Sequence, residues 1–98
     1  MGAESFRTVG KGQTMHEAFK NAVRQAEYDY GHSGYTGSIA EKDAVVLIDD
    51  SGLPDVVAVA LAEKLISERD ERIDDKWGPA GAIKLMSGDW LFFGIASS

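Results

Sequence analysis

Between residues 30 and 43 the chain reads YGHSGYTGSIAEKD, and residue types suited to chemistry are densest there. His32, Tyr35, Thr36 and Ser38 sit among Gly31, Gly34 and Gly37, with Glu41 and Lys42 following. Glycines let backbone amides approach a ligand, and hydroxyls and imidazole supply directed hydrogen bonds. A histidine titrating near neutrality beside a carboxylate could carry a proton in general acid–base work, which makes His32 with Glu41 the candidate catalytic pair. The same residues also suit a plain reversal of the chain. Gly31 can end a helix, Gly34 and Gly37 permit a tight turn, and Tyr35 can cover the edge of a core. His32, Tyr35, Thr36, Ser38, Glu41 and Lys42 are therefore candidate ligand or partner contacts in a loop over 31–42. Catalysis by His32 and Glu41 ranks third, behind protein binding and small-molecule binding.

Other motifs fall short of their chemistry. Gly10-Lys11-Gly12-Gln13-Thr14 lacks the spacing of a phosphate loop, because no Ser or Thr follows the lysine and the upstream glycine is missing. His16 reads as a surface histidine. Two histidines and sixteen acidic residues show no HExxH, no EF-hand pattern and no clustered ligand spacing, so no metal and no cofactor are expected. There is no cysteine and no G-x-S-x-G elbow, so no nucleophile is expected either.

Composition narrows the class. Ninety-eight residues make one domain, and apolar and charged fractions of 44% and 27% are those of a globular chain. A net charge of −6 with no Lys/Arg stripe opposes nucleic-acid binding. The longest apolar run, Val56 to Ala62, is far shorter than the roughly 20 residues that cross a bilayer, so no membrane contact is expected. No secretory signal is visible, and the absence of cysteine agrees with a reducing cytoplasm.

The elements that must position these residues follow from periodicity. Ser5 to Val9 alternates as a short strand. Thr14 and Glu17 form a capping box, and Met15, Ala18, Phe19, Ala22, Val23, Ala26 and Tyr30 then fall on one helical stripe. Gly37 to Lys42 can be a strand, and Ala44 to Ile48 reads as a second. After the break at Asp49-Asp50-Ser51-Gly52, a helix is predicted over 54–74, opened by Pro54. Ala82 to Met86 and Trp90 to Ile95 read as a hairpin around Ser87-Gly88-Asp89.

This order predicts an α+β domain with a ferredoxin-like (split β-α-β) antiparallel sheet, two helices on one face and an extra C-terminal strand. The last strand conflicts with a single covered face, since Trp90 and Phe92 point one way while Leu91, Phe93 and Ile95 point the other. Exposing such side chains forgoes roughly 1.5–3 kcal/mol each. The expected remedy is a homodimer with Trp90 and Phe92 at its interface. The alternative is that the second helix covers the opposite face.

Three stretches, YGHSGYTGSIAEKD, DKWGPAGAI and WLFFGIASS, resemble a group of small proteins of actinobacterial phages and related bacterial genomes, over most of the chain from residue 15. The resemblance carries no reaction, ligand or catalytic residue. It implies a cytosolic setting and a phage-encoded factor acting on host machinery. Separately, Gly12-x-Thr14-x-x-Glu17-Ala18 after a strand is similar to the opening of HicB-like and dodecin-like domains, a capped helix start too common to transfer function. The expected function is a small acidic cytoplasmic interaction module without enzymatic activity, binding a protein partner or a second copy of itself.

Overall fold

The computed structural model describes residues 2–30 and 36–98. The expectations placed on His32 and Tyr35 lie outside the described residues. Strand β1 spans Ala3–Gly10, helix α1 Met15–Tyr30, strand β2 Val45–Leu53, helix α2 Asp55–Ser67, strand β3 Ala80–Leu85 and strand β4 Trp90–Ser97. The fold is α+β, with two helices and a four-stranded mixed sheet, compatible with a ferredoxin-like α+β fold.

Local chemistry sets the ends of the helices. At the start of α1, Thr14 Oγ1 accepts from Glu17 N (3.1 Å) and the Glu17 carboxylate accepts from Gln13 N (3.5 Å). Ala18, Phe19, Ala22 and Ala26 form its buried stripe. Helix α2 stops at Ser67, seven residues before the expected end at 74, because a Schellman motif closes there. Asp70 N donates to Leu65 O (3.0 Å) and Arg69 N to Ile66 O (3.1 Å), with Arg69 in the left-handed region at φ 54°. Asp70 Oδ1 then caps the following turn by accepting from Arg72 N and Arg72 Nε, both at 2.9 Å. Those bonds hold the Asp70 carboxyl down at about 2. Released from the helix, Ile73 turns inward and is fully buried.

The strand order is β1-β4-β3-β2, with β4 antiparallel to both neighbours and β3 parallel to β2. Three expected details differ, the third being that the two helices do not share one face of the sheet. The sheet is mixed, because β2 and β3 are joined through α2 as a parallel crossover unit. The strand expected over 37–42 is replaced, because residues 39–41 form a short 3-10 turn with Ser38 as its cap, which leaves four strands among the described residues.

Helix placement follows from the same topology. The crossover through α1 carries the chain from the β1 edge to the β2 edge, and the crossover through α2 brings it back to β3. Parallel crossovers take one hand almost without exception. Two of the same hand travelling in opposite directions must lie on opposite faces. Accordingly Phe6, Ala82, Trp90, Phe92 and Ala96 pack with the α1 stripe and Ile39, while Ile83, Leu85, Leu91 and Phe93 pack with Ala58, Ala62, Leu65 and Ile73. The Phe19 and Phe92 rings meet edge to face at 5.6 Å. On the other side Gly81 makes room for Phe93, whose ring lies 2.7 Å from where a Cβ would stand.

This corrects the expected interface. Trp90 and Phe92 are 6% and 0% exposed, and Leu91 and Phe93 are 3% and 0%. Each of the two helices hides one side of β4, so these residues lie in the chain's own core and cannot form a dimer interface. The doubly apolar strand no longer calls for a second copy.

Two substitutions check this packing. Phe92→Ala should cost about 3–5 kcal/mol in denaturant unfolding, the range for emptying an aromatic core site. Arg69→Gly removes a left-handed backbone penalty of about 1–2 kcal/mol against a glycine entropy cost of about 0.5–1 kcal/mol. It should raise the melting temperature by a few degrees.

Candidate functional site

Of the predicted loop, the described part is tightly engaged with itself. Ser38 Oγ accepts from Ala40 N (3.2 Å) and lies 2.7 Å from Thr36 Oγ1. Thr36 donates twice to Glu41 Oε2, from its hydroxyl at 2.8 Å and its backbone N–H at 3.1 Å. Gly37 adopts φ 70°, donates its N–H to Ser97 O (2.8 Å), and leaves no room for a Cβ against the Glu4 carboxylate. Ile39 is driven into the core between α1 and the sheet. The structure thus brings Thr36, Ser38 and Glu41 together, as a knot that fastens the loop beyond the C-terminal end of β4.

Lys42 belongs to a separate arrangement. Its side chain is buried, and Nζ donates to the carbonyl oxygens of Asp75 (3.3 Å), Lys76 (3.1 Å) and Gly78 (2.9 Å). One ammonium therefore organises the turn before β3. Burial lowers the Lys42 pKa below its ordinary 10.5, opposed by the charges of Asp75 and Asp43. His16 is exposed on the first turn of α1. Among the described residues no cluster of three or more His, Cys, Asp or Glu could hold a metal ion.

The open ground of the molecule lies elsewhere, along β1. Gly2 and Ser98 exchange both backbone bonds (3.0 and 3.1 Å), and the β1–β4 register continues without a break from Ala3↔Ser97 to Gly10↔Trp90. Antiparallel ladders alternate, so Glu4, Phe6, Thr8 and Gly10 bond toward β4. The N–H and C=O groups of Ala3, Ser5, Arg7 and Val9 point away from the sheet. Among the described residues no strand lies beyond them.

A groove of ≈ 400 Å³ runs beside this edge, between β1 and α1. Phe6, Ala22 and Ala26 contribute to its apolar part, and Thr8, Gln25, Asp29 and Tyr30 to its polar part. Beyond Val9 it continues into a second depression of ≈ 290 Å³ that reaches Lys11. There Asn21 Nδ2 donates to Lys11 O (2.7 Å) and fixes the end of the β1–α1 connection. The alanines at 22 and 26 make the groove possible, since larger side chains on that stripe would fill it. Arg7 also borders the groove, but its guanidinium pairs with Glu63 of α2 at 2.9 Å on the opposite face.

The other edge is guarded. The β2–β3 register shifts between Leu47 and Asp49 and again between Asp49 and Leu53. Asp49 Oδ1 accepts from Ser51 N (2.8 Å) and Ser51 Oγ (2.6 Å), and Gly52 takes φ 87°. Irregularity and charge of this kind disrupt pairing with another chain. β1 has no proline and no bulge.

None of the β1 residues was among the sequence candidates. Their available signal was negative: a short alternating strand without proline or lysine, facing a helix with small residues at 18, 22 and 26. No protein-family model, curated protein or solved structure matches the chain.

Replacing Lys42 tests the structural reading of the loop. Lys42→Met leaves three carbonyl oxygens without their donor, and should cost about 1.5–3 kcal/mol, the range for hydrogen bonds to a charged group. The folded chain releases this proton at lower pH than the unfolded chain does. Wild-type stability relative to Lys42→Met should therefore be flat near pH 7 and rise with pH between the lowered value and 10.5. Urea titrations of both proteins across that window would show it.

Proposed function

We propose that this chain is a non-catalytic interaction module that accepts an extended segment of a protein partner as a fifth strand, laid along β1 over the β1–α1 groove. The supporting observation is the combination of an unbroken eight-residue edge with a groove running alongside it. Strand addition draws affinity from main-chain bonds and specificity from alternate side chains. Here the main-chain groups are those of Ala3, Ser5, Arg7 and Val9. Alternate side chains of the added strand would enter the groove beside Phe6, Ala22 and Ala26.

Magnitudes fit a regulatory contact rather than a permanent one. Each backbone bond contributes about 0.5–1.5 kcal/mol net. Ordering a flexible segment costs about 2–5 kcal/mol. The ordering cost offsets a large part of what the bonds contribute, which keeps the contact reversible. In the setting that the resemblance to phage proteins implies, the module acts in the cytoplasm and the partner is a host protein. Among the described residues no helix is long and apolar enough to cross a membrane.

The small-molecule reading of the 31–42 loop finds less support. Thr36, Ser38, Glu41 and Lys42 engage one another or backbone N–H and C=O groups, although Ser38 also borders the β1–α1 groove.

Proline at Ser5 gives a direct test. Its N–H points outward, so Ser5→Pro should leave the β4 ladder intact while removing one donor from the open edge. Octapeptides selected from a displayed random library on the wild-type protein should bind Ser5→Pro about tenfold more weakly, a loss of roughly 1.4 kcal/mol. The melting temperature should move little. Selected peptides that bind Ser5→Pro equally well would remove the reading.

A further inference from the structure

Building on the strand-acceptor reading, we infer that the segment received by β1 is cationic, with a Lys or Arg seated at the Glu4–Asp29 end of the groove. Charge is unevenly distributed along this edge. Glu4 and Asp29 both line the groove at the end near Tyr30 and Gly37. Among the described residues neither carries an ion pair, and Asp29 Oδ1 accepts only a neutral amide bond from Gln25 Nε2 at 3.2 Å. Arg7 points to the α2 face and is held there by Glu63. Lys11 lies at the far end, past Val9. An incoming strand therefore meets two carboxylates at one end and an apolar floor of Phe6, Ala22 and Ala26 beyond them.

Alternation gives this arrangement a sequence preference. Every second side chain of the added strand faces α1, so a basic residue and a small apolar residue two positions apart would meet the carboxylates and the floor together. The chain's net charge of −6 would also draw a basic segment toward it.

The same charges disfavour a second copy as occupant. Antiparallel pairing of two β1 edges about a two-fold axis would set each Glu4 opposite Thr8 of the other copy, so a second copy offers the carboxylates no basic residue directly across the seam. It would also join two chains that each carry −6. Like net charges oppose association. A basic partner strand removes that opposition.

Three fluorescein-labelled octapeptides separate the possibilities by fluorescence anisotropy: Val–Lys is Lys-Thr-Val-Thr-Val-Thr-Val-Thr, which puts one Lys and three Val on the same side of the strand, and Val–Thr and Val–Glu replace that Lys by Thr or Glu. Val–Lys should bind wild type about tenfold more tightly than Val–Thr, and Val–Glu more weakly than either. The double variant Glu4→Gln/Asp29→Asn should bring Val–Lys to within about twofold of Val–Thr, while Ser5→Pro should weaken both. Equal binding of Val–Lys and Val–Thr to wild type, or a lysine preference that survives the double variant, overturns the charge inference alone. Binding that ignores Ser5→Pro, or no binding by any peptide, overturns the strand-acceptor reading with it. A dimer in sedimentation that Ser5→Pro abolishes would make a second copy the occupant and also overturn the inference.

Discussion

The arrangement of this protein depends on one strand. β4 is central and antiparallel to both neighbours, and it is apolar on both faces, so neither side can be left to water. Trp90 and Phe92 need one cover, and Leu91 and Phe93 need another. With two helices available, the chain can satisfy both demands only by placing one on each side. Two crossovers of the same hand running in opposite directions produce that placement. The packing of β4 and the chain connectivity are two statements of one solution.

That solution leaves little else exposed to chemistry. Covering both faces removes the sheet surfaces as binding platforms and leaves the backbone at the two edges open to pairing. The edges are treated differently. β2 carries two register shifts, Asp49 and Asp50 side by side, and Gly52 in the left-handed region. β1 stays regular along its whole length. Unprotected edges invite pairing, so proteins usually blunt them. One blunted edge and one regular edge on the same sheet focus attention on the regular one. The groove that α1 leaves beside it gives an added strand somewhere to put its side chains.

How much of this was legible depends on the range over which each signal acts. The α1 cap was readable because Thr14 and Glu17 lie within one turn of each other, and the hairpin was readable because Ser87-Gly88-Asp89 separates two apolar runs. Residues 37–42 misled because their alternation resembles a strand. Gly37 at positive φ, Ser38 as a cap and Ile39 turned inward make a 3-10 turn instead, a choice decided by the distant Ser97 and the core. The α2 terminus misled for a local reason: Lys64, Glu68 and Arg72 keep helical spacing, yet no glycine marks the stop, and Arg69 takes the left-handed position itself. The two-faced character of β4 was visible, and the second helix was one of two covers read from it, but the choice over a second copy depends on strand order. The groove was invisible for the same reason, since no local pattern tells a strand that it will stand at an edge.

Charge adds a final constraint on what the edge can do. Edge strands commonly carry lysine pointing outward, which repels a second basic edge. β1 has Arg7 in that role, but Glu63 of α2 draws it to the opposite face at 2.9 Å. The α1 side is left with Glu4 and Asp29. Repulsion on that side therefore acts against acidic strands, and the chain itself is acidic. On the strand-acceptor reading, charges so placed would favour basic segments over acidic ones. The same −6 charge would, on that reading, favour a basic partner along an edge that no bulge or proline closes.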